Sequence, residues 1–180
     1  MKLRVLGARA LREAMPMADT IEAVKRAYAA YSSGTAVQPQ RLAVKLPPGE
    51  SVLLVKPALL PDAALGAKLV SVFPGNTGRG LPVINGVVIV LDPATGEPTG
   101  LCDGGFLTAW RTGAASGAAT DLLARDDATI GAVVGCGVQG RTQALAIDAV
   151  RRFDEIRICD AFPAQVDACI EEMSPEIRAR

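Results

Sequence analysis

Histidine is absent from the 180 residues. That removes Ser-His-Asp and Cys-His forms of nucleophilic catalysis and the commonest metal ligand. Proton transfer would fall to carboxylates, lysines, tyrosines or a bound cofactor. Net charge is lacking too, with 19 Lys and Arg offsetting 19 Asp and Glu. No basic run or acidic tail breaks that balance, so neither nucleic acid nor a membrane surface is an expected partner. No apolar run reaches the roughly 18 residues of a membrane-spanning helix. Lys2 and Arg4 are not followed by an apolar segment of signal-peptide length. Cys102, Cys136, Cys159 and Cys169 include no C-x-x-C pair and no zinc spacing. They are expected to be reduced, structural thiols of a cytoplasmic protein that binds no metal.

What is present is a packed-protein composition, 49% hydrophobic and 21% charged, in three textures. Met17, Ile21, Val24, Tyr28 and Tyr31 recur at spacings of three and four, which predicts a helix over 17–33 ended by Gly34. Short apolar runs follow at about 41–46, 51–56, 65–73, 84–91 and 97–102. Pro47-Pro48-Gly49, Pro61-Asp62, Pro74-Gly75-Asn76 and Asp92-Pro93-Ala94-Thr95-Gly96 separate them, which reads as antiparallel strands, with an exposed loop over 74–80. The stretch 105–124 is rich in Ala, Gly and Thr and fits one or two helices. A strand at 129–134, a helix at 138–151, a strand at 156–160 and a helix at 163–172 complete the chain. That order implies parallel pairing through a right-handed crossover.

The fold class is therefore α/β. An N-terminal α+β domain with a mainly antiparallel sheet, residues 1–115, precedes the first β-α-β-α portion of an incomplete Rossmann-type parallel sheet, residues 116–180. A full dinucleotide fold carries two three-stranded halves. Two strands alone leave apolar sheet edges uncovered, so a fragment of a longer protein is expected.

Gly135-Cys136-Gly137-Val138-Gln139-Gly140 is a G-x-G-x-x-G match between a predicted strand and a predicted helix, with Asp160 ending the next strand. Gly135 would permit the tight turn, Gly137 the approach of a pyrophosphate, and Gly140 close helix–strand packing. The helix N-terminus would face the phosphates with free N–H groups. Asp160 would accept the adenosine ribose hydroxyls and oppose a 2′-phosphate, favouring NAD over NADP.

Several phrases carry a resemblance. Gly66-Ala67-Lys68-Leu69-Val70-Ser71-Val72-Phe73-Pro74-Gly75-Asn76, the hairpin Asp92 to Pro98, and Leu107-Thr108-Ala109-Trp110-Arg111-Thr112-Gly113-Ala114-Ala115, followed by Gly135-x-Gly-x-Gln139, are similar to the ornithine cyclodeaminase/mu-crystallin family, in the family's order. The resemblance implies an NAD-dependent enzyme acting on a small amino acid or cyclic imino acid. An ornithine cyclodeaminase, an ammonia-lyase forming proline by transient hydride transfer, is the first expectation. A ketimine or imino-acid reductase or an alanine dehydrogenase is an alternative. A mu-crystallin-like NAD(P) and small-ligand binder, or an inactive truncated chain, is another.

By the same resemblance Arg41 and Arg111 would hold the substrate carboxylate, and Lys68, the third substrate-binding residue, would sit beside the reacting carbon. Arg111, Thr112, Gly135, Gly137, Val138, Gln139 and Asp160 would contact the cofactor, and two copies would form a homodimer through the N-terminal domain. The family's acid/base aspartate would lie beyond residue 180, so no catalytic residue is assigned. Lys56-Pro57 replaces a family methionine before proline, and Val83 a cofactor-contacting threonine; both weaken the case for ornithine itself. From the residues alone, Lys68 shares a strand face with Val70 and Val72, where a charge is costly unless paired or lining a site. Without the resemblance Arg41 reads first as a surface arginine after Pro39, and Arg111 equally as half of a helix-end salt bridge.

Overall fold

The computed structural model describes residues 2–47, 49–61 and 63–179. In chain order the elements are β1 (Arg4–Leu6), α1 (Ala8–Ala14), α2 (Met17–Ser32), β2 (Leu42–Leu46), β3 (Ser51–Leu60), β4 (Ala64–Val72), β5 (Ile84–Leu91), β6 (Pro98–Asp103), α3 (Gly104–Leu123), β7 (Ile130–Val134), α4 (Val138–Val150), β8 (Glu155–Cys159) and α5 (Pro163–Met173). The segment Pro74–Arg79, expected as a loop, is a 3-10 helix that ends on Gly80 in the left-handed region. Sequence texture suggests one boundary near residue 115. The structure groups into two compact units, Met1–Ala14 with Ala27–Leu107, and Met15–Arg26 with Thr108–Arg180.

The first unit is a six-stranded sheet in the order β1-β6-β5-β4-β3-β2. β2 to β6 pair antiparallel with their sequence neighbours, while β1, too short to be read from the sequence, joins β6 in parallel. Local chemistry sets the turns. Asp92 Oδ1 accepts the N–H groups of Ala94 and Thr95, and Gly96 takes a positive φ, closing the β5–β6 hairpin. Asp103 Oδ1 accepts the Phe106 N–H and so caps α3. At the same helix start, a Cβ on Gly104 would stand 2.6 Å from the carbonyl carbon of Gly86, so only glycine lets the helix lie against β5.

The pleat of this sheet separates two faces. Val70 and Cys102 are buried on one. Leu42, Val44, Leu69 and Val87 are exposed on the other.

The second unit pairs β7 with β8 in parallel, joined through α4. Val133 and Ile156 on one face of the pair pack with Cys136, Ala144, Phe153, Cys169 and Met173. Ile130, Ala132 and Val134 on the opposite face are exposed, as the pleat dictates once helices cover only one side. The residues 105–124 form one helix, and its small residues have a specific use. A Cβ on Gly113 would meet the Thr142 carbonyl oxygen at 2.5 Å, and one on Gly117 the Ala146 carbonyl oxygen at 2.9 Å. The glycines thus let α3 approach the backbone of α4. Ile21 fills the same seam with Ala114, Ala118 and Ala146.

The helical periodicity over 17–31 holds only in its first half. Ile21 is buried, whereas Tyr28 and Tyr31 are 51% and 58% exposed. The division of the chain falls between them, after Arg26.

Candidate functional site

In the second unit the glycine loop sits where a crossover turns from strand to helix. Gly135 adopts φ +101°, and its N–H donates to the Cys159 carbonyl at 2.7 Å. A Cβ on Gly140 would lie 1.8 Å from the Gly135 carbonyl oxygen, so the first turn of α4 cannot come this close with any other residue. A Cβ on Gly137, in contrast, would meet nothing within 4 Å. That glycine faces open space, where a bound group can reach the backbone. Gly137 caps α4 with no side-chain hydrogen bond, and Val138 and Gln139 behind it are exposed. The helix therefore offers its positive end to an anion rather than to a side chain of its own.

Asp160 completes the loop. Its Oδ2 accepts the Cys136 N–H at 2.7 Å and its Oδ1 the Phe162 N–H at 3.0 Å. These backbone donors hold its carboxyl below the usual carboxylate range. A carboxylate oxygen accepts more than one hydrogen bond, so both oxygens retain acceptor capacity for ribose hydroxyls. Gly135, Gly137, Val138, Gln139 and Asp160 are brought together as the motif implies. The bond to the loop is a second role for Asp160 that the motif alone does not reveal. Cys136, Cys159 and Cys169 of this unit and Cys102 of the other are free thiols; burial pushes the Cys102 and Cys136 thiols up.

Arg111 and Thr112 lie on α3 in the second unit. Arg111 is exposed, and the Thr112 hydroxyl donates to the Thr108 carbonyl one turn earlier.

In the first unit Lys68 lies in β4 and Arg41 immediately precedes β2. Lys68 is opposite Lys56, and Leu42 is opposite Val55. On its other side Lys68 faces Val88, which faces Cys102. Residues directly opposite share a face, so Lys56 and Lys68 lie on the face that buries Val70 and Cys102. Lys56 and Lys68 are half-buried and Arg41 is exposed.

Pro57 fits here because Leu59, two residues on, directs its N–H and C=O toward Val37. Pro57 would direct its own toward that side also, beyond the start of β2, where no strand hydrogen bond is lost. No group of three or more His, Cys, Asp or Glu arranged to hold a metal occurs among the described residues.

Comparison with known proteins decides the family. The ornithine cyclodeaminase/mu-crystallin family pattern matches residues 1–180. The chain belongs to that family. A Delta(1)-pyrroline-2-carboxylate reductase of Bacillus cereus is 35% identical over 153 residues, 84% of this chain and 47% of the relative. The structure of the Thermococcus litoralis Delta(1)-pyrroline-2-carboxylate reductase in complex with NADH and L-proline has a TM-score of 0.89 and 38% identity. It matches 98% of this chain and 55% of its own. An archaeal alanine dehydrogenase dimer with bound NAD has a TM-score of 0.88 and 28% identity over 100% of this chain and 56% of its own. The chain thus spans about half the length of the relatives it matches. The α/β architecture, an antiparallel-rich sheet followed by a Rossmann-like β-α-β-α portion, is that of these family members.

The Asp160 tie is testable through pH. A carboxyl whose folded pKa is depressed stabilises the fold fully above its unfolded value, about 3.9, and loses that contribution as pH falls through the folded value. Asp160→Asn, whose amide cannot accept from both backbone donors, is expected to be less stable than the parent at pH 7. The gap in urea midpoint should close as pH drops below about 4. A gap of constant size down to pH 3 would contradict the tie.

Proposed function

We propose that this chain is the nucleotide-reading and carboxylate-binding part of an NAD-dependent enzyme of small amino or imino acids. The observation that carries the proposal is the tie of Asp160 to the glycine loop. It holds an ionised acceptor beside an open glycine and an uncapped helix N-terminus, a cradle that suits a dinucleotide. Gly135, Gly137, Val138, Gln139 and Asp160 would hold the cofactor, with Arg111 and Thr112 added by the family resemblance. The ionised Asp160 favours ribose hydroxyls over a 2′-phosphate, hence NAD over NADP. When bound, NAD supplies a hydride acceptor or donor for the substrate α-carbon.

By the family resemblance Arg41 and Arg111 would fix the substrate carboxylate through their guanidinium forks, and Lys68 would sit beside the reacting carbon. Among the family's reactions, reduction of a cyclic imino acid is favoured by the likeness to two pyrroline-carboxylate reductases. The departures at Lys56 and Val83 also count against ornithine. Ornithine cyclodeamination to proline and ammonia is the second reading, favoured by the family itself. Neither reading assigns an acid/base to this chain. A cytoplasmic location is proposed with it; among the described residues no helix is long and apolar enough to cross a membrane.

A homodimer is proposed through the exposed sheet face of Leu42, Val44, Leu69 and Val87. A contiguous apolar patch of this kind marks an interaction surface, and the alanine dehydrogenase relative is a dimer.

Two measurements check these readings. Titration followed by NADH fluorescence should give binding at least about tenfold tighter than NADPH, a difference of about 1.4 kcal/mol. Equal affinities would remove Asp160 from cofactor choice, and no binding of either would overturn the nucleotide reading. Light scattering should find a dimer that Leu42→Glu with Leu69→Glu converts to monomer. A parent that is monomeric at high micromolar concentration would exclude this interface.

A further inference from the structure

Three sulfur side chains of the second unit meet beside the glycine loop. Cys136 is the second residue of that loop, and Cys169 and Met173 lie on α5. They are 1%, 1% and 3% exposed. Cys169 and Met173 stand four residues apart, so one face of the helix presents both. The Cys169 thiol donates to the Met173 thioether at 3.7 Å, and the Cys136 thiol meets that of Cys169. Arg141 fixes the approach of the two segments. Its Nε donates to the Cys136 carbonyl at 3.2 Å, and its Nη1 pairs with Glu172, the neighbour of Met173 on α5.

Sulfur is soft and polarizable, and thiolate with thioether ligands selects Cu(I) over harder ions. At a metal–thiolate length of about 2.3 Å, three sulfurs in a trigonal plane stand about 4 Å apart. The 3.7 Å between Cys169 and Met173 matches that spacing before any metal is bound. Zinc is unsuited, because its structural sites take four ligands and no group of three or more His, Cys, Asp or Glu could hold a metal among the described residues. A site whose third member is a thioether falls outside that count.

We propose that Cys136, Cys169 and Met173 form a three-coordinate site for a soft monovalent metal ion of the Cu(I) class. This departs from the purely structural role that the sequence suggests for both cysteines. On binding, each thiol exchanges its S–H bond for a sulfur–metal bond, two protons pass to solvent, and no atom changes oxidation state. The ion enters from the loop side, where Gly137 faces open space. It ties Cys136 to α5, and so joins the loop to the helix that follows Asp160. The proposal does not depend on the nucleotide reading, since its ligands are buried side chains rather than the open backbone of the loop.

The test is an anaerobic titration of the reduced full chain with Cu(I), delivered as its bathocuproine disulfonate complex. The chain is expected to take one equivalent from the chelator, with shifts of the Met173 methyl and Cys136 amide resonances in NMR spectra. Met173→Leu, which keeps the core volume, should weaken retention at least about tenfold. Cys136→Ala and Cys169→Ala should each weaken it about a hundredfold or more. Cys159→Ser, which removes the exposed thiol, should change it less than about twofold. No transfer of Cu(I) to the parent would overturn the site. So would retention that Cys159→Ser abolishes, since the exposed thiol would then be the captor. Full retention by Met173→Leu would remove the thioether, and with it the three-coordinate site.

Discussion

The candidate nucleotide site depends on one carboxylate. Asp160 directly follows β8, and its oxygens accept N–H groups from the glycine loop and from the turn that follows it. A second bond, from Gly135 N–H to the Cys159 carbonyl, ties the same two strand ends. Together they hold the loop open at Gly137 and keep the start of α4 clear. The contact has an electrostatic consequence as well, since the donors that fix Asp160 also keep it ionised. The residue expected to read a ribose is thus already positioned and charged by the backbone that would receive the pyrophosphate.

In the first unit the corresponding constraint is pairing register. A slip of one residue in β3 or β4 would send Lys56 or Lys68 to the opposite face. The two-sided sheet resists such a slip, because Val70 and Cys102 are buried on the cationic face. The same pleat leaves Leu42, Val44, Leu69 and Val87 on the other face. One register therefore sets both the Lys56–Lys68 pair and the proposed dimer surface. Close helix packing in the second unit depends on similarly exact backbone approach, at Gly113 and Gly117.

How much of this was legible in the sequence follows from the range of each interaction. Strands β2 to β8 and helices α2 to α5 were readable because hydrophobic period and turn residues are local signals. The face shared by Lys68, Val70 and Val72 was readable for the same reason. β1 was not, since three residues carry no period and its pairing with β6 spans most of the first unit. The stripe of Met17, Ile21, Val24, Tyr28 and Tyr31 reads as one face, but only its first half belongs to the packed seam with Ala114 and Ala118. The glycine loop was legible as a motif, whereas the bond from Cys136 to Asp160 requires the crossover to return β8 beside β7. The opposition of Lys56 and Lys68 was likewise hidden, because it depends on where a hairpin turns. The small residues of α3 signalled close approach without saying to what; in the second unit the neighbour is α4.

The central claim is that the loop from Gly135 to Gly140 and Asp160 form one nucleotide-reading half-site. Backbone amide NMR of the full chain during addition of NADH tests it most directly. The account predicts saturable shifts at Gly135 to Gly140 and at Ala161 and Phe162. Saturable NADH binding that leaves these amides unmoved would contradict it.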